Sequence, residues 1–140
     1  MTTTTRMNIL NTIKSVLEGV SAIQEVQVNR NTLVDMDTIS MPCAFVFSGA
    51  EVRITDSTYA VIGYETWDWT VSIEVWAQDT DMEELLGDIH TAMHNNEHLS
   101  TYAVTSFRTG VDHFVVDPTQ LLAGMLLDYS IIYRHRKGVP

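Results

Sequence analysis

His90 and His94 stand four residues apart, with Glu83 seven positions before the pair and Glu97 three after it. On a helix, two imidazoles at that spacing share one flank and can bind a single divalent cation, and a carboxylate one turn on can complete the shell. The zinc-protease form of the pattern needs a glutamate directly after the first histidine. Thr91 occupies that position, so that hydrolytic mechanism is excluded. The simpler reading is a wet helix flank, because Gly87 and Asn95 adjoin the four residues and nothing apolar dries the site. His113, beside Asp112, joins them only if the fold carries it there. His90 and His94 are therefore weak metal candidates, and the expected metal, cofactor and catalytic sets are empty.

Other chemistry finds little support. There is no Gly-x-Ser-x-Gly, and the single cysteine, Cys43, sits in the apolar run Cys-Ala-Phe-Val-Phe with no neighbouring base. The 7 glycines are scattered, with neither a Gly-x-Gly-x-x-Gly nor a Walker loop to cradle phosphate. Acid pairs such as Asp35 with Asp37, or Glu83 with Glu84, read as ordinary solvated charges.

With 18 acidic against 8 basic residues the chain carries a net charge of −10, which argues against a protein that grips nucleic acid. An acidic wall still suits a conduit through which a polyanion must slide. The basic run Arg134-His135-Arg136-Lys137 is read as a solvated terminus, and Met1 to Thr5 as a polar, frayed start. At 140 residues and 45% apolar content, one domain spanning 1–140 is expected. No run reaches the ~20 apolar residues of a membrane span. The expectation is a soluble intracellular protein.

The elements are organised around Thr66 to Gln78. Trp67, Trp69, Val71, Ile73 and Val75 alternate with Asp68, Thr70, Ser72 and Glu74, the signature of a half-buried strand. Trp76 is out of place on the wet side, as is Ile132 on the even side of a second such strand through Met125, Leu127, Tyr129, Ile131 and Tyr133. Gly124 is expected to open that second strand. Two helices are expected to cover the apolar sides. Ile9, Leu10, Ile13, Val16 and Leu17 make the stripe of a helix over Arg6 to Glu18, stopped by Gly19. Met82, Leu85, Leu86, Ile89, Ala92 and Met93 make that of a second, for which Thr80 is the expected cap, Glu83 its reciprocal partner, and Asp79 and Asp81 favourable to the dipole.

Between these, Ile23 to Arg30 alternates weakly as a strand, and Asn29 to Ser40 is a connecting loop. Met41-Pro42 sets an extended approach to the strand Cys43 to Ser48, which can continue past a bend at Gly49 through Val52 and Ile54. Asp56-Ser57-Thr58 is a turn, and Tyr59 to Tyr64 returns to the central strand, making a hairpin long enough to act as an arm. Ser100 to Arg108 reads as strand, Val111 to Val116 stays open, and Asp117-Pro118 is a turn. The fold class is therefore α+β, a mostly antiparallel sheet of four to five strands with two helices on one face.

In order, the amphipathic helix Met7 to Val20, the Met41-Pro42 step into Cys43-Ala44-Phe45-Val46-Phe47, the Trp67 to Val75 strand running into the acidic-capped helix Asp79 to His94, and the closing Leu127-Asp128-Tyr129-Ser130-Ile131-Ile132-Tyr133-Arg134 resemble the tail terminator, or tail completion, proteins of long-tailed bacteriophages. The resemblance is one of layout and length over nearly the whole chain. It implies a structural virion protein and no enzyme: a homo-oligomeric ring, usually a hexamer, that caps the tail tube, stops its elongation and offers the surface for head attachment. Its partners would be copies of itself, the tail tube protein and a head-completion or connector protein, with DNA passing through unbound. It would reside in the tail neck of the virion, and in the host cytoplasm during assembly. The expected interface residues are Glu51, Arg53, Asp56, Tyr59, Trp76, Arg134 and Arg136, from the hairpin arm, the even sheet face and the basic tail. The alternatives are another neck, connector or tail assembly protein, or a metal-binding module on His90 and His94.

Overall fold

The chain folds as α1 (Thr5–Glu18), β1 (Glu25–Val28), β2 (Cys43–Ile54), β3 (Tyr64–Gln78), α2 (Met82–Asn95), β4 (Ala103–Asp117) and β5 (Leu122–Arg136). This computed structural model describes residues 4–29, 39–55, 59–78, 80–117, 119 and 121–138. The architecture is α+β. One five-stranded sheet has the order β1-β2-β3-β5-β4, in which β1 runs parallel to β2 and every other pairing is antiparallel. No helix among the described residues is long and apolar enough to cross a membrane.

Alternation decides which side is covered. Trp69, Val71, Ile73 and Val75 of β3 are buried, as are Ala44 and Val46 of β2 and Met125, Leu127, Tyr129 and Ile131 of β5. They form one core with Ile9, Leu10, Ile13 and Leu17 of α1 and Leu85, Ile89 and Met93 of α2, so both helices lie on the same sheet face. The intervening residues face the other way, where no helix of the described residues lies.

The helices begin where a side chain can satisfy free backbone N–H groups. Thr4 caps α1, accepting from Met7 N at 3.1 Å, so Thr4 and Thr5 belong to the ordered helix start and not to a frayed tail. At α2 the cap is Asp81, whose carboxylate accepts from Glu83 N at 3.0 Å and Glu84 N at 3.2 Å. The expected Thr80 cap is corrected: its hydroxyl donates to Gln78 O, and Asp81, with its charge on the helix dipole, takes the role one residue later. Asp79 lies outside the described residues.

Strands β4 and β5 also differ from expectation. β4 is one strand of 15 residues, because register shifts at 103/105, 108/110 and 115/117 absorb extra residues that break its alternation. β5 starts at Leu122 and runs to Arg136, so all of the basic run but Lys137 is in the sheet: Arg134 and His135 are half-buried, while Arg136 and Lys137 are exposed. β2 does continue past Gly49, with a register shift between Ser48 and Glu51. A Cβ at Gly49 would sit 2.7 Å from Thr70 O, so the strands approach there as only glycine permits.

Length sets the outline. A helix of 14 residues, as both are, spans about 21 Å, whereas a strand of 15 residues, as β3 and β5 are, spans roughly 50 Å. Sheet must therefore project beyond the helices. At one end this projection is the arm, made of β2 past Gly49 and the strands paired with it; at the other lie the start of α2 and the β4–β5 hairpin.

Candidate functional site

Of the residues singled out for metal chemistry, Glu83 is drawn away by a neighbour while His90, His94 and Glu97 line one cleft. On α2 the rings of His90 and His94 stack at 6.3 Å between centroids. Glu97 lies 3.6 Å from His98 Nε2, while Glu83 lies 3.5 Å from Nε2 of His113 on β4. Among the described residues no three His, Cys, Asp or Glu side chains converge as metal ligands. His90, His94 and Glu97 instead edge a cleft of about 330 Å³ between α2 and β4, floored by Tyr129 and Arg108. The Tyr129 hydroxyl is buried and has no hydrogen-bond partner among the described residues. Burial pushes its pKa up to about 12, against the opposing pull of the Arg108 cation. Cys43 is fully buried in β2, and burial, reinforced by Glu25, pushes its thiol up to about 11. A thiol held protonated in this way is no nucleophile at neutral pH.

The sheet face without helices holds a ladder of polar contacts. Ser72 Oγ donates to Asp128 Oδ1 at 2.6 Å, and Ser130 Oγ donates to Asp68 across the same two strands. Toward the α2 end the ladder gives way to an aromatic pair that alternation alone does not reveal. Trp76 of β3, Gly124 of β5 and Phe114 of β4 occupy one row across three strands. Because Gly124 has no side chain, the indole of Trp76 and the ring of Phe114 meet above it, edge to face, with centroids 5.1 Å apart and planes at 74°. Trp76 Nε1 also donates to Glu74 at 2.5 Å. Trp76 is thus half-buried and engaged within its own chain.

The arm is where the remaining interface candidates gather, in different roles. Glu51 accepts a hydrogen bond from the Tyr133 hydroxyl and lies 3.7 Å from the Arg6 guanidinium, which sits 4.4 Å over the Trp69 ring. Glu51 is therefore a joint between α1 and the base of the arm. Arg134 donates from Nε and Nη2 to the carbonyl of Tyr59, at 3.2 and 3.0 Å, and Thr66 Oγ1 donates to the same oxygen at 3.0 Å. Tyr59 and Arg134 hold the returning loop against the sheet. Arg53 and Arg136 remain exposed, the latter with Nε 3.5 Å from the Tyr64 hydroxyl. Asp56 lies outside the described residues, as does the expected turn at 56–58.

Sequence reasoning passed over the apolar residues of this arm. Ile62 is 101% exposed and Val52 65%, with Val61 and Tyr64 exposed beside them. A shallow cleft of about 400 Å³ runs along the tip between Arg53, Ile54 and Lys137. Spacing alone hid Val52 and Ile54, since they have the parity of buried Ala44 and Val46, and the register shift between Ser48 and Glu51 turns them to the other face, opposite Asp68 and Thr66. Phe114 carried no signal, lying beyond the bulges that scramble the alternation of β4. In comparisons with known proteins, no family profile and no curated protein matches this sequence.

Proposed function

We propose that this protein is a structural subunit that assembles with copies of itself into a ring at the neck of a long-tailed phage, capping the tail tube, stopping its growth and presenting the surface to which the head attaches. The observation that carries the reading is the arm: strands that outrun the helices, with Val52 on β2 and Ile62 in the turn before β3 as apolar side chains left in water. Exposed apolar groups on a projecting element are stabilised by contact with another surface. The net charge of −10 fits a conduit for DNA, which passes through without being gripped. Work of this kind is done by docking and closure. The roles it requires are those of a virion protein made in the host cytoplasm, whose partners are itself, the tube protein and a head-side connector.

Light scattering coupled to size exclusion tests the assembly step. A species of several subunits is expected, either for the protein alone at high concentration or once tube protein is added. A protein that stays monomeric in both samples refutes the reading. Electron microscopy of tails made without this protein tests the capping step: tubes of uncontrolled length are expected, and tubes of normal length place the protein elsewhere in the neck.

A further inference from the structure

The exposed arginines and lysines among the described residues gather at one end. Around the arm tip Arg53, Arg136 and Lys137 are exposed beside Ile62. At the other end Asp81, Glu83 and Glu84 are exposed on the first turn of α2, and the β4–β5 hairpin there leaves Val115 68% and Leu121 57% exposed. Among the described residues each end thus has an apolar centre edged by exposed charge of one sign, and the two signs are opposite; half-buried Glu65, turned to His135, also lines the tip cleft. Strands of roughly 50 Å separate them, so the two ends of one copy cannot satisfy each other.

We infer that the arm tip of one copy docks onto the α2–hairpin end of a second copy, Ile62 meeting Leu121 while Arg136 and Lys137 face Glu83 and Glu84. This contact rests on the self-assembly proposed above and names the surfaces that carry it. Two copies of this acidic chain repel at long range, and the basic tip is the surface that an acidic end attracts. An arm-to-arm contact would oppose arginine and lysine to their own copies, and an end-to-end contact would oppose glutamates, so charge disfavours both two-fold arrangements. Joining unlike patches makes the contact heterologous, which propagates in one direction until it closes.

The test mixes two full-length single-site variants, Ile62→Cys and Leu121→Cys, under mild oxidation. Buried Cys43 stays silent in both. A 62-to-121 cross-link is expected in the mixture, with each variant alone giving about ten-fold less product. Dominant 62-to-62 product, or no 62-to-121 product in a sample that light scattering shows to be oligomeric, overturns the inference while leaving self-assembly standing. A wild-type sample that is monomeric with and without tube protein removes the assembly reading, and this contact with it. A second measurement uses charge. Arg136→Glu with Lys137→Glu, and Glu83→Lys with Glu84→Lys, should each weaken assembly by about ten-fold or more. A mixture of the two reversed variants should regain it, since each then offers the other a complementary end. If both variants remain folded by circular dichroism and the mixture fails to recover, or if neither reversal weakens assembly, the inference is refuted.

Discussion

Replacing Gly124 by alanine should destabilise this protein, and the same replacement should stabilise it once Phe114 is also alanine. A Cβ built at Gly124 falls 2.4 Å from Cε2 and 2.7 Å from Cζ of Phe114, far inside contact distance. The backbone of β5 is locked into two ladders, so the ring must swing away, and the edge-to-face contact with Trp76 goes with it. Losing such a pair costs about 0.5–1.5 kcal/mol, and crowding a packed site adds about 1 kcal/mol or more. Against this, alanine restricts the unfolded chain and returns about 0.4–1 kcal/mol. The net loss is about 1–2 kcal/mol. With Phe114→Ala in place the clash is gone and only the gain remains, so the coupling between the two sites is about 2 kcal/mol. Urea denaturation of the four proteins, followed by tryptophan fluorescence, measures all the corners of this cycle. Effects that add to within about 0.5 kcal/mol would refute the claim that the absence of a side chain at Gly124 makes room for the aromatic pair.

Three further outcomes follow from contacts described above. Asp81→Ala should lower stability by about 1 kcal/mol, and Thr80→Ala by less than half of that, read from urea midpoints; the reverse order would return the cap of α2 to Thr80. Arg134→Ala should release the Tyr59 carbonyl and speed hydrogen exchange at 59–66 by about ten-fold, the equivalent of one charged hydrogen bond, while the midpoint of global unfolding moves little; unchanged exchange would count against the clamp. Tyr129→Phe bears on pH. The folded hydroxyl titrates at about 12 against 10.0 for an unhindered tyrosine, so the folded state keeps a proton that the unfolded chain gives up. That contribution is complete below pH 10 and is lost as pH rises toward 12, at about 1.4 kcal/mol per unit. The phenylalanine variant should therefore show a shallower alkaline loss of stability, and curves that run parallel to wild type through that window would refute it.

The fold was legible wherever one side of an element is wet and the other dry. The odd residues from Trp69 to Val75 and the stripes Ile9–Leu17 and Leu85–Met93 carry their burial in their spacing, and the core is built from them, with Trp67, Val16, Leu86 and Ala92 partly buried against it. What stayed illegible has identifiable causes. The alternation of β4 is reset by three register shifts, so Val111 to Val116 could not be assigned from periodicity. Arg134 and His135 read as a solvated tail because sequence does not show that β3 extends to Tyr64 and pairs with them. Trp76 looked out of place on the wet face because its partner, Phe114, is 38 positions away and meets it only across a glycine in a third strand. For the candidate site, spacing alone joined Glu83 to His90 and His94, whereas the fold hands Glu83 to His113.

Helices covering less than half the length of the longest strands leave the sheet unevenly held. Val71 and Ile73 are fully buried, so their amides should exchange only when the whole domain opens, but toward Tyr64 and Arg136 the two strands end in exposed residues. Small local openings there cost a fraction of the global free energy. Whatever seizes the tip thus grips the part of the protein that yields first, and load applied there is absorbed as fraying at the rim before it reaches the packed centre.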